Sequence, residues 1–100
     1  MADAVLTDPL GRTITLHDRT WFGHIIKRHP ELRRHRQVAQ QAVQNPLEIR
    51  FSTYDPDCRT CYGIGPRPGI MIAVVIDVVN GLVRTGFLTD RPKGTLEWQR

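Results

Sequence analysis

The chain contains one almost unbroken apolar run, IMIAVVIDVV at residues 70–79, in which most side chains are β-branched. Such a run is typical of an inner β-strand covered on both faces, because a half-exposed strand would alternate apolar and polar residues. The Asn80-Gly81 pair that follows is a strong hairpin signal. We therefore expect residues 70–79 to form an inner strand that pairs back with LVRTGFLTD, residues 82–90.

Two helical patterns come before this run. A first helix is predicted from Arg19, with Asp18 as its N-cap, to a break near His29, because Pro30 cannot continue a helix. A second helix is predicted from Glu31 or Arg33 to Gln44. Its apolar stripe is narrow and consists of small side chains: Val38, Ala39, Ala42 and Val43. The basic residues at its start predict a solvated face, with a phosphate contact as the alternative: Arg33, Arg34 and Arg36.

The remaining segments predict short strands. AVLT and TITLH form a hairpin around the turn residues 8–11, and CRTCYGIG is a strand. LEIRFST alternates, which directs Leu47, Ile49 and Phe51 inward. KGTLEW is a tail anchored by its tryptophan. The order β-β-α-α-β-β-β-β predicts an α+β domain with both helices on one face of an antiparallel sheet. Residues 1–100 are enough for one core and one domain.

Composition narrows the functional classes. The net charge of +4 and the pI near 9.7 are compatible with a polyanionic partner. No stretch is long and apolar enough to span a membrane, and the N-terminus lacks the features of a signal peptide, so we expect a cytoplasmic protein without a membrane partner. Cys58 and Cys61 would point to opposite faces of a strand. We expect neither a disulfide, nor a zinc site, nor any cofactor to support the fold.

The first helix carries the histidines of greatest interest. At about 100° per residue, His29 lies on the apolar side with Trp21 and Ile25, which favours a packed structural histidine. His24 lies on the flank near Arg28. An imidazole next to a guanidinium is harder to protonate, so His24 can act as a base near neutral pH. His24 and His29 diverge around the helix, so they do not form a metal-binding pair.

The strand after the apolar run adds further polar groups. On a regular strand, Thr85 and Thr89 share one side and Arg84 faces the other. Histidine, hydroxyl groups and cations together would suit phosphodiester cleavage. That reaction needs a base for the 2′-hydroxyl group, an acid for the leaving oxygen and positive charge near the phosphate. The chain has no acidic cluster to hold a metal ion, so the predicted chemistry is metal-independent.

In combination, TWFGHIIKRHPEL, QNPLEIRFS, VRTGFLTD and KGTLEW resemble motifs of small bacterial and phage domains. These domains belong to the phage nuclease-like branch of the barnase–EndoU–colicin–RelE superfamily. The resemblance covers roughly residues 7–98. It implies two N-terminal helices against a curved, four-stranded antiparallel sheet, and metal-independent RNA cleavage, often in toxins. The chain departs from the pattern at Gly86-Phe87, where the family commonly has Ala-Tyr, and in its Cys-x-x-Cys sequence.

The resemblance also implies roles for individual residues. His24 and His29 match the two histidines of the helix motif, and Thr85 matches the threonine of the last strand. Arg59 and Tyr62 lie where the family often has basic and aromatic residues. The expected function is a metal-independent ribonuclease. His24 would be the general base or acid, with His29 as its partner. Thr85 would donate to the phosphate, and the remaining contacts would come from the substrate-binding residues Arg28, Arg59, Tyr62 and Arg84.

A second hypothesis comes from another functional class. The same fold could serve as a non-catalytic domain that binds a protein or a nucleic acid through the basic helix, with His29 as a core residue. The expected partners are RNA and, for a toxin, a protein of the antitoxin or immunity type.

Overall fold

A computed structural model describes residues 2–100 of the chain. Its seven strands are β1 (Ala4–Thr7), β2 (Thr13–Leu16), β3 (Glu48–Phe51), β4 (Cys58–Ile64), β5 (Met71–Asp77), β6 (Leu82–Thr89) and β7 (Leu96–Gln99). The helical residues lie between β2 and β3, in α1 (Asp18–Thr20), a π-helical turn (Trp21–Ile25), α2 (Ile26–Arg28), a 3₁₀ turn (Pro30–Leu32) and α3 (Arg36–Gln44). None of these helices is long and apolar enough to cross a membrane.

All seven strands form one curled sheet in the order β1-β2-β6-β5-β4-β3-β7, so the predicted α+β class is confirmed. The expected sheet of four strands was wrong. The N-terminal hairpin joins the sheet through a parallel pairing of Thr15 with Leu82, and the predicted tail forms β7, which pairs with β3. Both additions depend on contacts between residues far apart in the chain, which local hydropathy patterns do not contain.

The inner position predicted for the apolar run is confirmed for residues 71–77, whereas Val78 and Val79 lie in the loop that follows. β5 lies between β4 and β6 and pairs antiparallel with both. The connection to β6 is a four-residue loop, 78–81, rather than a two-residue turn. Gly81 takes a φ of 68° there, a left-handed conformation that glycine adopts without steric cost, and its amide donates to the carbonyl oxygen of Asp77.

The first predicted helix is present but irregular. α1, the π-helical turn and α2 run continuously from residue 18 to 28, and the amide of Ile26 donates to the carbonyl oxygen of Trp21, five residues back. The chain leaves the helix at His29, as Pro30 predicts. The expected N-cap was wrong: His17 precedes the helix, and Asp18 is its first residue and pairs with Arg36.

The second helix is shorter than predicted, because the chain first makes the 3₁₀ turn and α3 begins only at Arg36. Arg33 and Arg34 precede the helix and are exposed, as expected of a solvated face. Arg36 departs from that expectation. Its side chain is buried, its guanidinium lies 2.7 Å from Asp18, and the ring centroids of Trp21 and Phe22 are 6.0 and 5.8 Å away.

The helices cover one side of the sheet, which we call the helix face. The predicted stripe of α3 packs there, with Ala39, Ala42 and Val43 buried. Ile49 of β3 and Cys61 of β4 are paired and fully buried on this side. The inward prediction for Phe51 was wrong, because β3 ends at this residue and leaves its ring 40% exposed.

Candidate functional site

The side of the sheet opposite the helices, which we call the open face, carries a cavity of about 610 Å³. Strand pairing places five floor side chains on this face: Thr60, Tyr62, Val75, Thr85 and Phe87. Residues 52–55 form one wall and the segment 90–95 contributes another. The cavity therefore combines a rigid strand floor with walls made of connecting segments.

The segment 90–95, which we call the crossing segment, owes its position to the strand order. It connects β6, third in the sheet, to β7, seventh, so it must pass across the three strands between them. The amide of Lys93 donates to the hydroxyl oxygen of Tyr62 (3.0 Å). Arg50 Nη1 donates to the carbonyl oxygen of Gly94 (2.6 Å). These bonds hold the crossing segment over the open face.

Three cations line the cavity: Arg84 from β6, and Arg91 and Lys93 from the crossing segment. Asp55 is the one carboxylate among the lining residues that the structure describes. Guanidinium and ammonium groups are the side chains that bind phosphate and carboxylate anions. This charge distribution suits an anionic ligand.

Arg84 faces the cavity because of a β-bulge. Thr85 pairs with Val75 and Val83 with Ile76, so Arg84 is an extra residue without a partner in β5. Its Nη2 donates to Asp77 Oδ2 (2.7 Å), while its side chain remains 53% exposed. Arg84 and Thr85 therefore line the same cavity, whereas the sequence predicted opposite sides on a regular strand. The bulge reverses the alternation at this one residue.

Asp77 anchors Arg84 as an ionised group. Its carboxylate is buried and also accepts hydrogen bonds from the Asn80 side chain (2.8 Å) and from the amides of Asn80 and Val79. The bonds from Asn80, together with those from Arg84 and Val79, hold the pKa of Asp77 well below its usual range. The anchored guanidinium keeps further N–H donors for a ligand.

Hydroxyl groups and aromatic rings complete the lining. Thr60, Tyr62 and Thr85 present hydroxyl groups on the floor. On the loop after β3, Ser52 Oγ accepts the amides of Tyr54 and Asp55 (3.1 and 3.2 Å), which fixes the turn. Tyr54 is 95% exposed at the end of this turn. An aromatic ring held in solvent beside a cationic cavity can stack on a planar ligand.

The two cysteines lie on opposite faces, as their spacing on a strand predicts. Cys58 lines the cavity, and Cys61 lies in the core. Burial raises the pKa of Cys61 to about 12 and, together with Asp55 and Asp77, raises the pKa of Cys58. Both thiols are therefore protonated near neutral pH and are poor nucleophiles.

The structure brings three of the predicted site residues together: Tyr62, Arg84 and Thr85. Arg59 lies elsewhere. It stacks over the ring of Phe51 at 4.3 Å and donates from Nε to Glu97 (2.7 Å), so its guanidinium is bound within an ion cluster. Tyr62, three residues further along β4, points to the open face, because successive side chains of a strand point to opposite faces.

The predicted helical residues His24, Arg28 and His29 are not among the residues that line the cavity. His24 lies half-buried in the π-helical turn, and Arg28 is exposed at the end of α2. His29 reaches the edge of the site: its ring centroid is 6.1 Å from that of Phe87, a floor residue. With a side chain that is 33% exposed, His29 is less buried than its place in the apolar stripe predicts.

Four cavity residues carry no functional signal in the sequence: Tyr54, Asp55, Arg91 and Lys93. All belong to connecting segments, where periodicity gives no direction for a side chain. Lys93 begins the KGTLEW motif, for which the sequence predicts a tail. β7 pairs with β3, and this pairing draws the crossing segment over the sheet. The local sequence pattern does not show the pairing.

Within residues 2–100, no group of three or more His, Cys, Asp or Glu side chains is arranged to hold a metal ion. Comparisons of this chain with protein-family models, with curated proteins and with solved structures found no match. The functional interpretation therefore depends on the chemistry of the cavity and of its surroundings.

Proposed function

We propose that this domain binds single-stranded RNA in the cavity of the open face. The observation that carries the proposal is the grouping of Arg84, Arg91 and Lys93 with hydroxyl groups and exposed aromatic rings in one concave site. Single-stranded nucleic acid is bound by this combination, because cations neutralise the phosphates and rings stack on the bases. The net charge of +4 favours the same class of ligand.

Each part of the cavity has a role in this proposal. The cations contact the phosphate groups, and the floor hydroxyl groups of Thr60 and Thr85 hydrogen-bond to sugar or phosphate oxygens. The Tyr62 hydroxyl group holds Lys93 of the crossing segment over the ligand. Tyr54 stacks on a base, since its ring is free at the rim. Asp55 accepts hydrogen bonds from base amino groups, which the phosphate-binding cations cannot do.

The experiment measures binding of labelled single-stranded RNA as a function of salt concentration. For each phosphate contact that is lost, the slope of log K against log salt should become shallower by about 0.7. We expect this change for Arg91→Gln and for Lys93→Gln, whose side chains are exposed. Arg19→Gln, an exposed cation that does not line the cavity, is the matched control and should leave the slope unchanged. Equal slopes for all three variants would remove the support for the cavity as the binding site.

Metal-independent RNA cleavage is the second candidate function. The contact between His29 and Phe87 favours it, because it brings an imidazole to the rim of the cavity that contains Thr85. In this proposal the imidazole either accepts the proton of the attacking 2′-hydroxyl group or donates a proton to the leaving oxygen, and water carries the other proton. Thr85 donates to the phosphate, and Arg84 neutralises its developing charge. This function resembles that of the nuclease superfamily named above, and an antitoxin or immunity protein would be its expected partner in the cytoplasm.

Cleavage is tested with EDTA present, by looking for fragments that end in 2′,3′-cyclic phosphate. We expect His29→Ala to lower the rate by about 10²–10⁴-fold, the range for loss of a general acid or base. His24→Ala, from the same helical segment, is measured alongside it. Equal losses would mean that both histidines take part, and loss for His29 alone would assign the proton transfer to the rim. If wild-type protein binds the RNA but leaves it intact, the domain binds RNA without nuclease activity.

A further inference from the structure

We propose that the RNA-binding surface continues from the cavity, over the free edge of β6, onto the helical segment. The ligand is then a strand of several nucleotides rather than a mononucleotide. This inference rests on the proposed binding of RNA in the cavity and extends it to the class of ligand. The surface combines the rings of Phe22, His29 and Phe87 with the exposed cations of residues 27–34.

The edge of β6 is where the surface leaves the cavity. β6 pairs with β5 along its length, but with β2 only where Leu82 meets Thr15. Within residues 2–100, the rest of this edge has no strand partner. The ring of His29 lies there, 6.1 Å from the ring of Phe87, which lines the cavity. A ligand that leaves the cavity past Phe87 therefore meets His29 next.

The residues around His29 are strongly basic. Four exposed cations surround it in the sequence: Lys27, Arg28, Arg33 and Arg34. Glu31 is the one carboxylate in residues 21–35. Within residues 2–100, none of the four cations takes part in an ion pair. Unpaired surface cations are available to neutralise phosphates, and each contact releases a bound counterion from the RNA.

An exposed aromatic ring belongs to the same helical segment. Phe22 is 44% exposed, and its ring centroid is 5.8 Å from the guanidinium of Arg36 at the start of α3. The buried ion pair of Arg36 with Asp18 holds that start against the first helical segment. Arg33 and Arg34 come just before α3 in the chain.

Exposed rings lie in the same stretch of chain as these cations. Phe22 belongs to the π-helical turn, and His29 directly follows α2. Exposed rings alternating with cations are the features that bind single strands. An acidic protein would use the cations but would leave the rings without a stacking partner.

The test compares a dinucleotide with an octanucleotide of the same RNA sequence. The dinucleotide fits the cavity alone, and the octanucleotide also reaches the helical segment. We expect wild-type protein to bind the octanucleotide at least about tenfold more tightly. The double variant Arg33→Glu, Arg34→Glu should lose this gain and still bind the dinucleotide normally. Both residues are exposed and outside the helices, so thermal melting should be unchanged.

The control is Arg19→Glu, which makes the same charge reversal as each single substitution of the pair, at an exposed position near Asp3. It should retain the gain from length. Equal affinity for the two RNA lengths in wild-type protein, or equal losses for Arg19→Glu and the double variant, would overturn the extended surface. Failure of the cavity proposal looks different: Arg91→Gln and Lys93→Gln would then leave dinucleotide binding intact.

Discussion

A single buried carboxylate determines how the hairpin between β5 and β6 presents its arginine. Asp77 is 1% exposed and accepts from the Asn80 side chain, from two backbone amides and from Arg84. A buried charge with this many donors is stable only while all of them remain, because each lost bond leaves a desolvated group unsatisfied. The same residue closes the loop 78–81 and orients a cation toward the cavity.

We expect Asp77→Asn to lower the melting temperature by more than about 5 °C at pH 7. The NH₂ group of the new amide would face the N–H donors of Asn80 and Arg84, so hydrogen bonds would be lost in a buried site. Hydrogen bonds from Asn80 and Arg84 hold the pKa of Asp77 below its usual value. The stability it contributes is thus present above the unfolded-state pKa, near 4, and is lost as the pH falls below it. Thermal melts across acidic pH should therefore fall more steeply for wild type than for the variant.

The exposed Asp57 provides the control for this prediction. Asp57→Asn removes a carboxylate from the loop before β4, and its melting curve should follow that of wild type at every pH. A melting temperature for Asp77→Asn as high as that of Asp57→Asn would contradict the anchoring role of Asp77.

At the scale of elements, the contact between α3 and β4 depends on two small residues. A Cβ atom added to Gly63 would lie 2.6 Å from the Cβ and 2.7 Å from the Cα of Ala42. The helix backbone therefore approaches the strand more closely than any larger pair allows. This close approach explains why the apolar stripe of α3 consists of small side chains. The sequence shows the stripe but not that Gly63 packs against it. The close approach places α3 against the helix face of the sheet.

Gly63→Ala should destabilise the protein by about 1–3 kcal/mol, because α3 must shift to admit the methyl group. Ala42→Gly in the same chain should restore part of this loss by removing the clashing atom. Gly23→Ala is the matched control: a Cβ atom there meets nothing within 4 Å, so alanine should be neutral or stabilising in the helical segment. Urea unfolding of the four proteins measures each effect, and a neutral Gly63→Ala would mean that α3 is not held this closely.

At the scale of the whole molecule, an ion cluster joins the two ends of the sheet. Arg12 follows the hairpin turn at one edge of the sheet, where it pairs with Asp8 at 2.6 Å. It also pairs at 2.7 Å with Glu97 of β7, at the other edge. Glu97 also accepts from Arg59 (2.7 Å). Burial alone would raise the pKa of Glu97, but hydrogen bonds from Arg12 and Arg59 outweigh it and lower the pKa. The cluster thus holds the curl of the sheet through charged side chains.

Glu97→Gln should cost about 2–3 kcal/mol at pH 7, since it leaves two largely buried guanidinium groups with a weaker partner. A lowered folded-state pKa means that Glu97 stabilises the fold above its unfolded pKa, near 4.3, and loses this contribution as the pH falls. The difference in unfolding free energy between wild type and variant should therefore shrink in acid. Glu31→Gln, at an exposed carboxylate, should show no difference at either pH. A difference for Glu97→Gln that is the same at both pH values would contradict the ionic closure.

The features that the sequence determined by itself are local. The inner strand β5, the hairpin to β6, the break at His29 and the apolar stripe of α3 follow from periodicity, turn residues and the conformational limits of proline. Tyr62, Arg84 and Thr85 were also identified from the sequence and its resemblance to a known superfamily, and they line one cavity. These elements depend on neighbours within a few residues, so their pattern is visible in the chain.

Only the tertiary structure decided how these elements combine. The pairing of β7 with β3 brings the crossing segment and its cations over the open face. The bulge turns Arg84 toward Thr85, and the ion pair with Asp18 buries Arg36 although it begins a basic helix. Each outcome depends on a partner distant in sequence. Pairing register and desolvation are properties of two segments together, and no single segment contains them.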